Sequence, residues 1–153
     1  FIDFDASLYF PNFVRDTKNN KCNMNEFISR LAYTPGFLPP EVSYYLQRFK
    51  TNDWNELYEA IAIDMGLKEY TDDFFVFIDY LNTIPNLDEL LLCDKSLHIF
   101  KFDIFSLGNT LKLITEVLEI NDPQLNDLIS NMTNINFLLR FDIEQCLNHA
   151  FMK

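Results

Sequence analysis

Glycine is scarce in this 153-residue chain, which carries only 3. A loop that wraps nucleotide phosphates needs several glycines close together, so none is expected here. Positive charge is scarce too. Twelve Lys and Arg stand against 23 Asp and Glu, for a formal net charge of −11. Phosphate backbones and anionic lipid surfaces repel such a surface, which argues against a nucleic-acid partner and for a basic one. Solvated acidic faces are the plainer reading of the same charge. Histidine occurs twice, at His98 and His149, and cysteine three times, at Cys22, Cys93 and Cys146. There is no C-x-x-C pair, so the pattern does not fit zinc, and an odd cysteine count fits a reducing, intracellular compartment such as the cytoplasm. No apolar run is long enough to span a bilayer. The run Phe74-Phe75-Val76-Phe77-Ile78 is broken by Asp79 and reads as core. The chain opens on Phe1 with no signal-like stretch after it, as expected of a fragment or a processed piece.

What is abundant is apolar material. The chain is 48% hydrophobic with 16 Phe, enough for one domain with a real core. Its richness in Asn, Ile and Phe suggests an A/T-rich genome; a viral source would add the virion to the expected locations. Residues 1–6 read as a short strand. Residues 7–40 read as loop, because Pro11, Pro35, Pro39 and Pro40 fix φ and remove donors. Helical signals follow. Asn52 or Asp53 caps a helix carrying Trp54, Leu57, Tyr58, Ile61 and Met65, and Gly66 ends it. Thr71 or Asp72 starts the next, with Phe75, Ile78, Asp79 and Leu81 on successive turns, and a short helix follows over 86–93. Over 103–120 the residues Ile104, Leu107, Leu111, Ile114 and Leu118 form an apolar stripe. Asp122-Pro123 begins another helix as cap and first residue. Asp142 and Gln145 stand three apart, as in a capping box. The fold class is mainly α.

Four short segments go further than composition and period. They are Phe1-Ile2-Asp3-Phe4-Asp5-Ala6-Ser7, Tyr33-Thr34-Pro35-Gly36-Phe37-Leu38-Pro39-Pro40-Glu41, Phe102-Asp103-Ile104-Phe105-Ser106-Leu107-Gly108, and Leu139-Arg140 running on to Leu147-Asn148-His149-Ala150-Phe151. In this order they resemble the C-terminal lobe of a eukaryotic-type Ser/Thr protein kinase, from its D-F-G motif, through T-P-G-aromatic to A-P-E and D-x-aromatic-S-x-G, to its R…L-x-H-x-[FW] tail.

The resemblance implies a set of roles. Asp3 is the magnesium ligand and Phe4 the packing residue beside it, with Asp5 in place of Gly. Thr34, Gly36, Phe37 and Leu38 face the substrate, and Thr34 suggests Ser/Thr specificity. Glu41 and Arg140 form a buried ion pair. Asp103 anchors its helix and catalytic-loop amides. His149 reads as a partly buried helix-end residue. Pro39 departs from the usual Ala, Ala150 from Pro, and Asp142 from Ser or Thr. Between Glu41 and Asp103 lie 61 residues where the family has a short link, so about 48–98 looks like a helical insertion. The stretch from Asp103 to Arg140 is short, and the usual docking helix is missing or replaced. No H-R-D-x-x-x-x-N, G-x-G-x-x-G or V-A-I-K segment occurs. The expectation is therefore a kinase portion inactive alone, with ATP and Mg2+ bound only in the complete protein. An upstream N-lobe and a protein substrate or scaffold partner would be its partners. A pseudokinase scaffold and an all-helical interaction module are the alternatives.

Overall fold

The computed structural model describes residues 36–85, 87–91 and 100–153. The strand expected at 1–6, together with Asp3, Phe4, Asp5 and Thr34, lies outside the described residues. Among those described there are helices and turns and no strand, so the mainly α class holds.

The first described helix, α1 (Pro40–Gln47), was not expected from the sequence. Pro39 is extended, at φ −70 and ψ 150, and Pro40 takes the first helical position. There its missing N–H costs nothing and its fixed φ already suits a helix. The loop reading therefore stops at Pro39. α2 (Trp54–Met65) starts at Asp53, whose Oδ1 accepts from the N–H groups of Asn55 and Glu56 at 2.8 and 3.4 Å. It ends at Gly66 in the left-handed region, φ +70. α3 (Asp72–Thr83) is capped by Thr71, and the short α4 (Leu87–Leu91) follows within the expected 86–93 stretch. After α5 (Phe100–Val117) comes α6 (Pro123–Met132), with Asp122 as cap and Pro123 at its first position. α7 (Ile143–Asn148) carries the full capping box of Asp142 and Gln145, and a 3-10 turn, Ala150–Met152, closes the described chain. No described helix is long and apolar enough to cross a membrane.

α1 packs on α2 and α3, and α5 packs on α6. The larger core joins Val42 of α1, Ile61 of α2, and Phe74, Ile78 and Leu81 of α3 to Phe102 and Phe105 of α5 and to Phe137. Burying each such side chain contributes about 1.5–3 kcal/mol. The helices of the 48–98 stretch thus share one core with the segments on either side. A smaller cluster of Ile104, Leu128, Met132 and Cys146 fills the α5–α6–α7 side.

α5 corrects the stripe read from the sequence. It starts three residues before Asp103, and its buried side carries Phe102, Ile104, Phe105 and Gly108. Leu107, Ile114 and Leu118 are exposed at 49%, 44% and 64%. Of the expected stripe, Ile104 is buried and Leu111 packs against the smaller cluster, so the stripe and the buried side overlap only in part. Two bulky Phe rings, one on either side of Asp103, face the larger core and set the rotation of the helix. Gly108 serves close packing: a Cβ there would stand 2.7 Å from Thr133 Cγ2 and 2.9 Å from Met132 Cβ.

Candidate functional site

The sequence brings two candidate groups to one region, the 36–38 segment and the Glu41–Arg140 pair. Glu41 lies in the first turn of α1, and Arg140 sits just before α7. The two are 99 residues apart in sequence, and both side chains are fully buried. Their geometry is a fork on a carboxylate. Nη1 donates to Oε1 at 2.6 Å and Nη2 to Oε2 at 2.9 Å. Two further donors are used as well: Nε donates to the Asn134 carbonyl at 3.0 Å, and Nη1 reaches the Lys101 carbonyl at 3.3 Å. The Phe105 ring lies under the guanidinium, 4.7 Å from its carbon. A buried charge survives only when paired and hydrogen-bonded, and here both conditions are met. Lys101 sits at the edge of this network and gives its ammonium to the Phe137 carbonyl at 3.2 Å. Burial holds the Lys101 pKa below the ordinary lysine value, against the opposing pull of Asp142.

The segment in front of α1 is held from two flanks. On the first, the Asp64 carbonyl near the end of α2 accepts from the Gly36 N–H at 2.9 Å and the Leu38 N–H at 3.0 Å. The buried Asp64 carboxylate meanwhile accepts from the Ser43 hydroxyl at 2.7 Å and the Gln47 amide at 2.8 Å, both on α1. One residue thus ties α1, α2 and the segment together. Gly66 lies so close that a Cβ there would meet Gly36 Cα and O at 2.9 Å. Gly36 itself has φ +95, a conformation that needs glycine. On the second flank, Ser106 of α5 donates to the Phe37 carbonyl at 2.9 Å and Asn109 to the Gly36 carbonyl at 3.5 Å. Leu38 is buried, whereas Gly36 and Phe37 keep part of their surface open.

Asp103 falls in the first turn of α5 rather than at its cap, since the helix already includes Phe100. A carboxylate there meets the positive end of the helix. It keeps an exposed surface, yet crowding by its neighbours pushes its carboxyl above the usual carboxylate range. His149 closes α7: its Nδ1 accepts from the Phe151 N–H at 3.2 Å and its Nε2 meets Asp127 at 2.9 Å. That is a structural role at a helix end. No cluster of three potential metal ligands occurs among the described residues.

Sequence reasoning missed Asp64, Ser43 and Gln47. Asp64 carried a signal: an acid between Ile63 and Met65, at a position the helical period of Leu57 and Ile61 turns inward. Its backbone carbonyl carried none.

No family model matches the chain, and no curated protein or solved structure is significantly similar to it.

Proposed function

We propose that this chain is the C-terminal-lobe portion of a Ser/Thr protein kinase, which in its complete form transfers the ATP γ-phosphate to protein hydroxyls. The observation that carries this reading is the buried, doubly hydrogen-bonded pair of Glu41 and Arg140. These are the two positions that the A-P-E-like and tail motifs require to meet, and 99 residues separate them. The pinned 36–38 segment in front of Glu41 supports the same reading. A platform that positions a substrate hydroxyl must hold its backbone still, and this segment is hydrogen-bonded from α2 and α5.

On this reading the described residues supply the platform and its scaffold. ATP contacts, the catalytic base and the second magnesium ligand belong to the part of the complete protein upstream of Phe1, and Asp3 holds magnesium. The 48–98 helices brace the platform from within the insertion. A catalytically silent scaffold is the second reading, and Asp5 in place of the D-F-G glycine favours it, because the change narrows backbone freedom beside the metal ligand.

The test is to isolate the protein from its native source, weigh it intact, and incubate it with labelled ATP, Mg2+ and basic Ser- or Thr-containing peptides. The kinase reading expects a mass well above that of the 153-residue chain and label on Ser or Thr. A larger protein that neither binds nucleotide nor transfers label would be the scaffold. A native mass equal to that of this chain would overturn both and leave a helical interaction module.

A further inference from the structure

We propose that the pocket between α1, the 51–53 turn and α3 binds a small oxyanion, a phosphate or carboxylate group. The inference stands apart from the kinase reading, because it rests on hydrogen-bonding groups that no function assigned above uses.

The pocket holds about 180 Å³ and is lined by Tyr44, Arg48, Thr51, Asp53, Trp54 and Asn82 among others. That is room for roughly six waters and less than the roughly 300 Å³ at which drug-sized sites begin, so it suits one oxyanion group and not a nucleotide. What matters is which polar atoms remain free. The Tyr44 hydroxyl donates to Asn82 Oδ1 at 2.9 Å, which leaves the Asn82 amino group without a partner among the described residues. Thr51 donates to Glu56 at 2.6 Å and accepts from the Asp53 N–H at 3.1 Å. Asp53 spends its Oδ1 on the start of α2. The Tyr44 and Thr51 hydroxyls are thus engaged within the chain, whereas the Asn82 amino group is left over; Asp53 Oδ2 is the one carboxylate oxygen left in the lining, beside the Asn52 amide.

The cation of the pocket is Arg48, whose guanidinium also faces the Tyr44 hydroxyl. In a chain with 23 acidic residues, its guanidinium finds no carboxylate among the described residues. Its Nε is buried with no acceptor at all. The side chain is not loose, because the guanidinium lies 4.2 Å from the centre of the Tyr45 ring and 4.6 Å from that of Phe49. Stacking on aromatic faces fixes a fork that is built to meet two oxygens of one anion. A part-buried cation without an anion is costly, and an oxyanion in the adjoining pocket removes that cost.

Trp54, the one tryptophan in the chain, stands at the pocket wall with 43% of its surface exposed, and so reports occupancy directly. The experiment titrates the full chain with inorganic phosphate, acetate and a phosphoserine peptide at constant ionic strength set by chloride, following Trp54 emission. Phosphate should give a saturable change with a dissociation constant on the order of 1 mM. Arg48→Lys, which keeps the charge and loses the fork, should weaken it about tenfold. Asn82→Asp changes an exposed position, keeps the oxygen that accepts from Tyr44, and replaces the free donor by a negative acceptor. It should abolish the change while the melting temperature stays near that of the parent. Tighter binding of the peptide than of free phosphate would identify a phosphorylated partner as the source, equal binding would identify the free ion, and a response to acetate as strong as that to phosphate would make a carboxylate the ligand group. No saturable response beyond that of chloride overturns the proposal, as does a phosphate response that both variants retain.

Discussion

Removing the guanidinium from Arg140 gives the sharpest test of how this fold is held. Arg140→Ala leaves the Glu41 carboxylate fully buried with neither of its two donors, and it frees the carbonyls of Asn134 and Lys101. It also lifts a flat cation from the Phe105 ring. Breaking a buried pair by deleting one partner costs about 3–5 kcal/mol. For a chain of this size each kcal/mol moves the melting temperature by about 2–4 °C, so the expected drop is roughly 6–20 °C. Thermal unfolding followed by circular dichroism measures it, with Lys153→Ala as comparator. Lys153 is exposed at the end of the chain, and its truncation should fall within about 0.5 kcal/mol of the parent. The double variant Glu41→Leu with Arg140→Met separates pairing from burial. Replacing both charges by apolar groups of similar size should recover most of the loss, since desolvation of the pair offsets much of its attraction. Equal melting temperatures for Arg140→Ala and Lys153→Ala would refute the argument, and so would a double variant no better than Arg140→Ala alone.

Three other outcomes follow from the geometry. Gly66→Ala forces a left-handed Ala, at about 1–2 kcal/mol, and drives a Cβ against the Gly36 backbone; hydrogen exchange at the Gly36 and Leu38 amides should quicken while α6 stays protected. Gly108→Ala should gain about 1 kcal/mol of helix propensity and still lower the urea midpoint, because the new methyl collides with Thr133 and Met132; a higher midpoint would show that the α5–α6 contact yields. Tyr58 should ionise near pH 12, because partial burial and then its 2.6 Å hydrogen bond to the Asp79 carboxylate raise its pKa from 10.0. Folding holds that proton more tightly than the unfolded chain does, so its stabilising contribution is full below about pH 10 and fades as pH climbs towards 12. Spectrophotometric titration of the parent against Tyr58→Phe isolates this ionisation.

Helix starts were the most legible part of the sequence. Asp53, Thr71, Asp122 and the Asp142–Gln145 box each satisfy amides within their own first turn, so the signal and the structure lie within three residues of each other. α1 was obscured because a Pro-Pro pair reads equally well as loop and as helix entry, and what decides is the turn after it. The rotation of α5 was illegible for another reason. Several faces of that helix carry apolar residues, and only the position of Phe74, Phe77 and Phe137 in space selects the face with Phe102 and Phe105. Of the candidate site, the two ends of the Glu41–Arg140 pair were visible as motif positions. The bracing of Gly36–Leu38 by the Asp64 carbonyl was not, because every residue has such a carbonyl.

The span of the Glu41–Arg140 pair also sets an order of events at the ribosome. Arg140 is translated 99 residues after Glu41, and at about 5–20 residues per second Glu41 waits roughly 5–20 s for its partner. During that interval α1, α2 and α3 emerge with a carboxylate that belongs in their interior and nothing to neutralise it. Closing the larger core before Arg140 arrives would bury the Glu41 carboxylate unpaired, at a cost of about 3–5 kcal/mol. A chain stalled before that point would expose the faces of Val42, Ile61 and Phe74 together, which is the state chaperones and proteases recognise.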